Sequence, residues 1–598
     1  MPSRRVSPTA SSLRTQTWLL GTLATLALVR GVAALVPGHW LWGLDVYRSA
    51  PPWTWALWAL SALVLLPALA PWAETVAAWV APRLERGWAL ATLLALLAAV
   101  RVLILPDRIH YVGDSLIRAD AVTEGVPARA LTPQALPLDV WFHSTLPAWL
   151  GHAGIDPVLV TRLLGAVEAG ALVFLALAFA RGLGLSGGAL LGATTLVIWG
   201  GWQALYTGFG KAFSELVVAA LALATLGISV ARGRRHVTFG VVLALALLLH
   251  RSALGFLPAA IGAWLAGRVA SGRGWRVWVG IAIPAVALAA LAPRLWQSMH
   301  AYDTTHFAAA GEGLGGALGR LLAPLRLLDL ANLALFLVPM LPLLFTLSGR
   351  HERPSPLLEP EAKRVLLLLA VPFAVALFFL RPAQGIARDF DDYSTGAMTI
   401  AVLLAARVGS RLRNVPRAGW MAVSIGLGSA APVVAWLALQ SDVGLGLARV
   451  EAWVQGPPTR SEAERATTYD YLGGRWFRAE RYDLAEAELE KAVALTPSPR
   501  LVLGWAGAAE RARDFATAER AYRLLYERAN LMNDSTGVRV RAIALGGLAV
   551  SAARRGDLAT ARQWAERAVA ESPGDPGPQA LLQHILAARA DTTRRSAP

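Results

Sequence analysis

One aspartate stands at the start of a polar loop, in the stretch Tyr111-Val-Gly-Asp-Ser-Leu-Ile-Arg-Ala-Asp120. An apolar segment ends just before it, near Leu105. A carboxylate in a partly desolvated cleft beside an apolar layer has raised basicity and can take a proton from a hydroxyl group. Asp114 is therefore the candidate general base of an enzyme. It can also cap a helix that begins at Ser115, and the two roles are compatible.

Further ionisable side chains stand at the ends of apolar segments, on the face predicted to carry Asp114. Cations there can neutralise a phosphate leaving group, although long basic side chains also extend to a membrane interface without any such role. Asp139 and His143, four residues apart in the same loop as Asp114, can line a binding site or simply pack that loop. The candidate substrate-binding residues are Asp139, His143, Lys211, His250, Arg251, Arg381 and Arg388.

Two clusters contain residue types that bind divalent cations. His300, Asp303 and His306 are spaced i, i+3 and i+6, and the run Arg388-Asp-Phe-Asp-Asp-Tyr393 gathers carboxylates. Neither follows a strict metal-binding motif, so each is also compatible with a solvated polar loop. The first cluster is the candidate metal site, and a divalent cation is the only cofactor that the sequence suggests. The chain has no cysteine, which excludes thiolate metal sites and disulfides.

Helices that cross a membrane must position these residues. Hydrophobic residues make up 55% of the 598. They come in blocks of about 15 to 22, the length that crosses a hydrocarbon core of roughly 30 Å as a helix. The predicted fold class is therefore all-α, with a polytopic bundle of about thirteen spans over residues 1–440. We place the spans at about 18–36, 54–72, 88–105, 158–180, 188–202, 212–231, 237–250, 255–270, 277–292, 327–347, 365–380, 395–408 and 419–439.

The arginine distribution sets the predicted orientation. Arg4, Arg5 and Arg14 precede the first span and place the N-terminus in the cytoplasm. Later arginine-rich loops, such as Arg232-Gly-Arg-Arg235, alternate onto the same side, so the odd number of spans leaves the C-terminal region outside. These loops explain most of the net charge of +16, and nucleic-acid binding is not expected. Few lysines beside abundant arginine and alanine indicate a GC-rich bacterial genome, so we expect a multi-pass protein of the bacterial inner membrane.

The composition changes after Gln440. Gly456-Pro-Pro458 marks a linker at 441–460, and residues 461–598 are charged, alanine-rich and amphipathic. This part resembles tetratricopeptide repeats, stacked helical hairpins of about 34 residues, with generic helical hairpins as the alternative. Three units match, at Tyr469, Leu472, Gly473, Trp476, Ala485, Leu489, Ala492 and Pro497, then at Trp505, Ala506, Ala518 and Tyr522, and then at Leu545, Leu548, Ala549, Ala561, Ala568 and Pro573.

Residues from about 88 to 410 resemble the GT-C superfamily of polytopic glycosyltransferases, which use polyprenyl-phosphate-linked sugars and include protein O-mannosyltransferases. The resemblance rests on a membrane helix followed by a loop that opens with Gly113-Asp114 and a short helix, and it continues through Thr161–Glu168, Arg181–Gly184, Tyr206–Glu215 and His250–Pro258. It implies that Asp114 deprotonates or orients the acceptor hydroxyl while the sugar leaves its lipid phosphate. This chain departs from the family by two additional spans before the motif and by a loop aspartate that stands alone.

Arg162 and Glu168 lie inside one of the apolar segments of this region. Ionisable groups at such positions are costly and usually mark function. Six residues of separation put the two side chains on roughly opposite faces of one helix. We therefore expect each to pair with a neighbouring span.

The sequence thus favours a membrane glycosyltransferase that moves a sugar from a polyprenyl-phosphate donor to an extracytoplasmic acceptor, with the repeats binding the acceptor or a partner protein. A membrane-anchored scaffold without catalysis is one alternative, although a single span would suffice as its anchor. An O-antigen ligase or polymerase is another, in which Arg294, His300 and His306 would carry the chemistry in place of Asp114.

Overall fold

The computed structural model describes residues 10–113, 115–126, 132, 134–271, 274–303, 313–346, 359–382 and 384–595. All regular structure in those ranges is helical, which confirms the predicted all-α class. The chain divides into two compact units, Met1–Gly446 and Leu447–Pro598. The division falls inside the segment predicted as a linker, most of which is the helix Val443–Gln455.

The first unit is a bundle of apolar helices with close backbone contacts. A Cβ atom on Gly165 would collide with the carbonyl oxygen of Tyr206, so only glycine allows this approach. Short 3-10 or π-helical turns join several helices. The α-helices are α1 (Ala10–Ala33), α2 (Val46–Ser49), α3 (Thr54–Leu63), α4 (Ala70–Arg86), α5 (Ala89–Ile104), α6 (Ser115–Thr123), α7 (Pro137–Val140), α8 (Leu146–Gly151), α9 (Pro157–Gly182), α10 (Gly187–Ile198), α11 (Phe213–Ala231), α12 (His236–Leu249), α13 (Leu257–Ser271), α14 (Trp275–Ser298), α15 (Leu314–Leu321), α16 (Pro324–Leu337), α17 (Pro342–Thr346), α18 (Pro360–Phe379), α19 (Asp391–Leu412) and α20 (Ala418–Ser441).

Seven helices in the described ranges are long and apolar enough to cross a membrane. The number is eight if Thr54–Leu63 and Pro67–Arg86, which meet at a bend of 88°, form one broken span. The apolar helices are compatible with a membrane protein, but the thirteen predicted spans are not confirmed. One reason is that some apolar blocks are not helical over their full length. In the block predicted at 188–202 the α-helix ends at Ile198, and a 3-10 turn follows over Gly201–Thr207.

The loop after α5 is anchored where it begins. The Asp107 carboxylate accepts hydrogen bonds from the backbone N–H groups two and three residues further on, which closes a tight turn. The backbone N–H groups of Asp107 and Arg108 donate to the carbonyl oxygens of Thr207 and Gln440, at 3.2 and 3.0 Å. Two distant parts of the first unit therefore hold the segment that ends at Gly113.

The second unit consists of successive helices, and from Glu462–Arg478 onward each packs against the next. Ser461 and Glu464 form a capping box at the first turn. A Cβ atom on Gly473 would lie 2.5 Å from Cγ of Leu489, so these two predicted repeat positions do meet in the packed hairpin. The helices are α21 (Val443–Gln455), which contains the boundary, α22 (Glu462–Arg478), α23 (Tyr482–Leu495), α24 (Pro499–Ala512), α25 (Phe515–Ala529), α26 (Ser535–Arg554), α27 (Leu558–Glu571) and α28 (Pro576–Arg595). The apolar α26 is one of the seven membrane-length helices, yet it packs between α25 and α27 of this unit.

Candidate functional site

A polar cavity with an empty volume of about 730 Å³ lies where several segments of the first unit meet. The segments are α6, the loop before α7 and α7 itself, the turns before α11 and after α12, and the segment before α19 together with the start of α19. The wall carries both signs of charge. The lining residues are Arg118, Thr132, Gln134, Ala135, Asp139, Lys211, Ala212, Phe213, His250, Arg251, Gln384, Asp389, Asp391 and Asp392.

Four of the seven predicted substrate-binding residues line this cavity. The sequence groups them only as residues near span ends on one face, whereas the structure brings their side chains around one space. They are Asp139, Lys211, His250 and Arg251.

Arg118 and three carboxylates, those of Asp389, Asp391 and Asp392, are parts of the wall that the sequence reasoning missed. Arg118 follows Asp114 by four residues and lies on the short helix α6. This spacing could have identified it as a candidate site residue. The carboxylates belong to the acidic run that the sequence offered only as a cation site. Their position beside Lys211 could not be read from spacing alone.

Arg118 forms a two-point ion pair with Asp139. Its Nη1 and Nη2 donate to the two carboxylate oxygens at 2.8 and 3.1 Å, and Nη1 also reaches the carbonyl oxygen of Gly210 at 3.4 Å. Burial alone would raise the pKa of Asp139, but the charge and hydrogen bonds of Arg118 hold that pKa below its ordinary value. The pair therefore ties α6 to α7 and to the turn before α11.

Replacing Arg118 with alanine should destabilise the first unit by about 3 to 5 kcal/mol, because the Asp139 carboxylate would lose its buried partner. Thermal unfolding in detergent measures the loss. The matched control is Arg232→Ala, which breaks an exposed ion pair with Glu359 and should cost about 1 kcal/mol or less. An equal loss of stability in both variants would contradict the expectation that the buried Arg118–Asp139 pair stabilises the fold more than the exposed pair.

Lys211 lies beside the turn that precedes Asp114. Its Nζ is 3.4 Å from Oδ2 of Asp391 and 5.5 Å from the ring centre of Phe209. Gly113 has φ +64°, and a Cβ atom there would lie 2.5 Å from the Phe209 ring and 3.3 Å from the Lys211 ammonium. Glycine is therefore required by both the backbone and the space. Asp114 itself lies outside the described residues.

His250 and Arg251 line the same cavity from the turn between α12 and α13. Nδ1 of His250 lies 2.9 Å from the hydroxyl of Ser252, and its Nε2 lies 3.3 Å from Nη1 of Arg251. These contacts hold the imidazole beside the Arg251 guanidinium in the cavity wall.

Asp389 is buried at the edge of the cavity, where its Oδ2 accepts the backbone N–H of Gln384 at 2.7 Å. Burial and the neighbouring carboxylate of Asp391 raise the pKa of Asp389 to about 7. The group is mostly protonated below that pH and ionised above it. Its titration therefore changes the net charge of the cavity near neutrality.

As the pH rises through about 7, the wild-type protein should bind a phosphate-bearing probe in this cavity progressively more weakly than the Asp389→Asn variant does, because ionised Asp389 adds a negative charge beside Lys211 and Arg251. The affinity for undecaprenyl phosphate, measured from pH 6 to pH 8, tests this expectation. In the Asp389→Asn variant that part of the pH dependence should vanish. An unchanged pH dependence in the variant would assign the effect to another group.

Two of the predicted substrate-binding arginines, Arg388 and Arg381, are not among the residues that line the polar cavity. Arg388 donates from Nε to the carbonyl oxygen of Tyr111 at 3.0 Å, and its guanidinium carbon is 5.1 Å from the ring centre of that tyrosine. It therefore joins the acidic run to the stretch that contains Asp114. Arg381 is exposed and is absent from the cavity lining.

The predicted metal ligands are not assembled in the described part of the chain. His300 is exposed, its Nδ1 lies 2.9 Å from the carbonyl oxygen of Trp296, and its ring centre is 3.9 Å from that indole. Asp303 ends a short π-helical turn, and His306 lies outside the described residues. Within the described ranges, no group of three or more histidine and acidic side chains is placed to hold a metal ion. The metal site stays a prediction.

His143, the seventh predicted binding residue, lines a smaller cavity with an empty volume of about 390 Å³. Arg118 belongs to the walls of both cavities, so its guanidinium stands between them. Apart from His143, His110 and Arg118, the wall of the smaller cavity has no ionisable side chain. The remaining lining residues are Val122, Pro147, Pro157, Val158, Thr161, Gly208 and Gly210.

An apolar cavity of about 770 Å³ shares helix α19 with the polar cavity. On α19 it is lined by Ala397 and Ile400, about one to two turns after Asp392. Its other walls come from α16, α18 and Leu341. A charged space and an apolar space thus follow one another along a single helix.

Comparison of the chain with protein-family models and with curated proteins finds no match.

Proposed function

We propose that this protein is a membrane glycosyltransferase of GT-C type that moves a sugar from a polyprenyl-phosphate donor to an extracytoplasmic acceptor. The observation that carries the proposal is the polar cavity in which Arg118, Lys211 and Arg251 face carboxylates. Cations in a partly desolvated space stabilise a departing phosphate. The apolar cavity further along α19 gives the same site a surface suited to a lipid chain.

The reaction assigns a task to each part of the site. The acceptor oxygen attacks the anomeric carbon of the sugar while the bond from that carbon to the phosphate oxygen breaks. The leaving electron pair stays on the phosphate, where Lys211 and Arg251 neutralise the charge. Asp114 takes the proton of the acceptor hydroxyl. The position of Gly113 supports this assignment, because a Cβ atom on this residue, which precedes Asp114, would lie 3.3 Å from the Lys211 ammonium of the cavity.

The remaining features extend the proposal. With the six membrane-length helices of the first unit and the broken pair α3–α4, the helices α1, α5, α10, α12, α16 and α19 would make up a bundle of about thirteen spans with a cytoplasmic N-terminus in a bacterial inner membrane. The second unit would be a tetratricopeptide-repeat domain on the opposite side, binding the acceptor or a partner protein. Packing of Gly473 against Leu489 is what the repeat pattern requires.

The two alternatives have less support from the site. A scaffold needs no charged cavity, so the clustering of Lys211, Arg251 and the acidic run speaks against it. In the ligase alternative Arg294 and His300 would act on substrate, yet Arg294 donates a hydrogen bond to the carbonyl oxygen of Ala135, and His300 packs on an exposed indole.

A binding experiment with undecaprenyl phosphate tests the proposal before the sugar is known. The purified protein in nanodiscs should bind undecaprenyl phosphate saturably, and undecaprenol should compete weakly because it lacks the phosphate. Inorganic phosphate alone should bind more weakly than the lipid because it leaves the apolar cavity empty. Equal binding of the alcohol and the phosphate, or no binding of either, would overturn the proposal and favour the scaffold.

A further inference from the structure

The helix α4 leaves the direction of the helices around it. Tyr47, before α3, packs in one apolar cluster with Leu439 near the end of α20. The carbonyl oxygen of Val64, just after α3, accepts a hydrogen bond from the indole of Trp420 near the start of α20, at 2.6 Å. The helix α3 therefore runs antiparallel to α20, and the chain then bends by 88° into the segment that contains α4.

Two glutamates of α4 bind the starts of two other helices. Oε1 of Glu74 accepts the backbone N–H of Trp420, in the first turn of α20, at 2.8 Å. Oε1 of Glu85 accepts the backbone N–H of Gly187, the first residue of α10. A carboxylate at the first turn of a helix satisfies an amide that has no partner within that helix, and it interacts favourably with the helix dipole. Both acidic side chains of α4 are thus directed into the bundle.

The helix ends that α4 contacts lie at one level. A Cβ atom on Gly188 would collide with the backbone of Ala418, the first residue of α20, so α10 and α20 begin side by side. Arg181, in the last turn of α9, donates to the carbonyl oxygen of Gly87, directly after α4, at 2.9 Å. The rise of α4 between its two glutamates is about 16 Å, close to the width of two packed helices. The helix α4 therefore runs across one end of the bundle and not along it.

The two faces of α4 differ in chemistry. The buried face consists of small or apolar residues and packs against α10 and α20; these residues are Ala70, Ala73, Ala77, Ala81 and Leu84. The other face carries Trp72 and Trp79, which are 49% and 54% exposed, and two exposed arginines, Arg83 and Arg86. Indoles and arginines on one exposed face are typical of a helix that lies in a membrane interface.

The exposed face of α4 presents cations. The guanidinium carbon of Arg83 lies 4.1 Å from the ring centre of Trp79, and Nη1 of Arg83 donates to the carbonyl oxygen of Trp79 at 2.6 Å. Arg86 follows about one turn later, and the exposed Arg417 directly precedes α20, whose first turn Glu74 binds. Because both glutamates of α4 are engaged at helix starts, the arginines set the charge of this face. Such a face is complementary to anionic groups.

We propose that α4 lies in the interface of the cytoplasmic leaflet and that Arg83 and Arg86 bind the phosphate groups of anionic phospholipids there. The side follows from the predicted orientation, which places in the cytoplasm the loops where α9 ends and where α10 and α20 begin. Basic groups at this surface attract anionic lipids, while the Trp72 and Trp79 rings lie at the level of the headgroups. The inference is independent of the proposed sugar transfer.

Quenchers attached to lipids measure the depth of α4. The chain has no cysteine, so Ala78→Cys, on the exposed face of α4, can carry a single fluorescent label. In nanodiscs, a nitroxide at the headgroup should quench this label more strongly than a nitroxide deep in the acyl chain. The matched control is Leu97→Cys in the middle of α5, which is 55% exposed and should show the reverse order. A label at Ala78 that follows the order of Leu97 would make α4 a span, and a label that neither nitroxide reaches would mean that protein covers α4; either result overturns the proposal.

The same label tests which lipid α4 selects. A nitroxide carried by phosphatidylglycerol should quench the Ala78→Cys label more than the same nitroxide carried by phosphatidylcholine, because each arginine near the surface favours the anionic lipid by about five-fold. Adding Arg83→Gln and Arg86→Gln should remove this preference, whereas Arg83→Lys with Arg86→Lys should keep most of it. Arg232→Gln, which removes an arginine paired with Glu359, should leave it unchanged. Equal quenching by the two lipids without further substitution, or a preference that survives the loss of both arginines, would overturn the proposal.

Discussion

The Asp114→Asn variant should lose sugar transfer by about 10²- to 10⁴-fold while it stays folded and still binds undecaprenyl phosphate. Asparagine has nearly the shape of aspartate but cannot accept a proton, so only the chemical step is removed. A cap at Ser115 would tolerate the change, because asparagine caps helices about as well as aspartate. The measurements are transfer from a polyprenyl-phosphate sugar, thermal unfolding and lipid affinity.

Asp120→Asn supplies the control for that experiment. It changes an aspartate on α6, six residues after Asp114 in the sequence, and should leave transfer near the wild-type rate. Full activity in Asp114→Asn would refute the assignment of the base. Asp389, buried at the cavity edge with a pKa raised to about 7, would then be the next candidate.

The helices could be predicted from apolar periodicity, but the number of spans could not. The block at 237–250 became a helix of only 14 residues, His236–Leu249. Its length is marginal for a hydrocarbon core of roughly 30 Å. The segment at 54–72 became two helices with a sharp bend between them. Hydropathy measures how apolar a block is and does not show where the backbone turns.

Several residues that line the polar cavity could be predicted, because they lie at helix ends. Which of them form ion pairs with each other could not. Lys211, His250 and Arg251 could be chosen because ionisable groups beside apolar blocks are costly. The pairing of Arg118 with Asp139 depends on how α6 lies against α7, which no spacing along the sequence encodes. For the same reason Glu168 was expected to pair with a neighbouring span, while its neighbour, Glu215 of α11, could be found only from the packed helices.

The Lys211→Ala variant should bind undecaprenyl phosphate about 10- to 100-fold more weakly, which corresponds to the roughly 1.5 to 3 kcal/mol of a hydrogen bond to a charged group. The side chain of Lys211 is only 16% exposed, and its ammonium lies 3.4 Å from a carboxylate oxygen of Asp391. Removing it takes away a cation and leaves the negative charge of Asp391 to repel an incoming phosphate. Equilibrium binding in nanodiscs measures the change.

A conservative substitution decides whether Lys211 acts through its charge or through the fold. Lys211→Arg keeps the cation and should recover most of the lipid affinity, whereas a packing role would not survive the bulkier guanidinium beside Gly113 and Phe209. Arg381→Ala removes an exposed cation that the sequence also favoured but that the cavity lining does not include, so it should bind the lipid as tightly as the wild type. If Lys211→Ala and Arg381→Ala weaken binding equally, the effect comes from the general positive charge of this face. The polar cavity would then not be the phosphate-binding site.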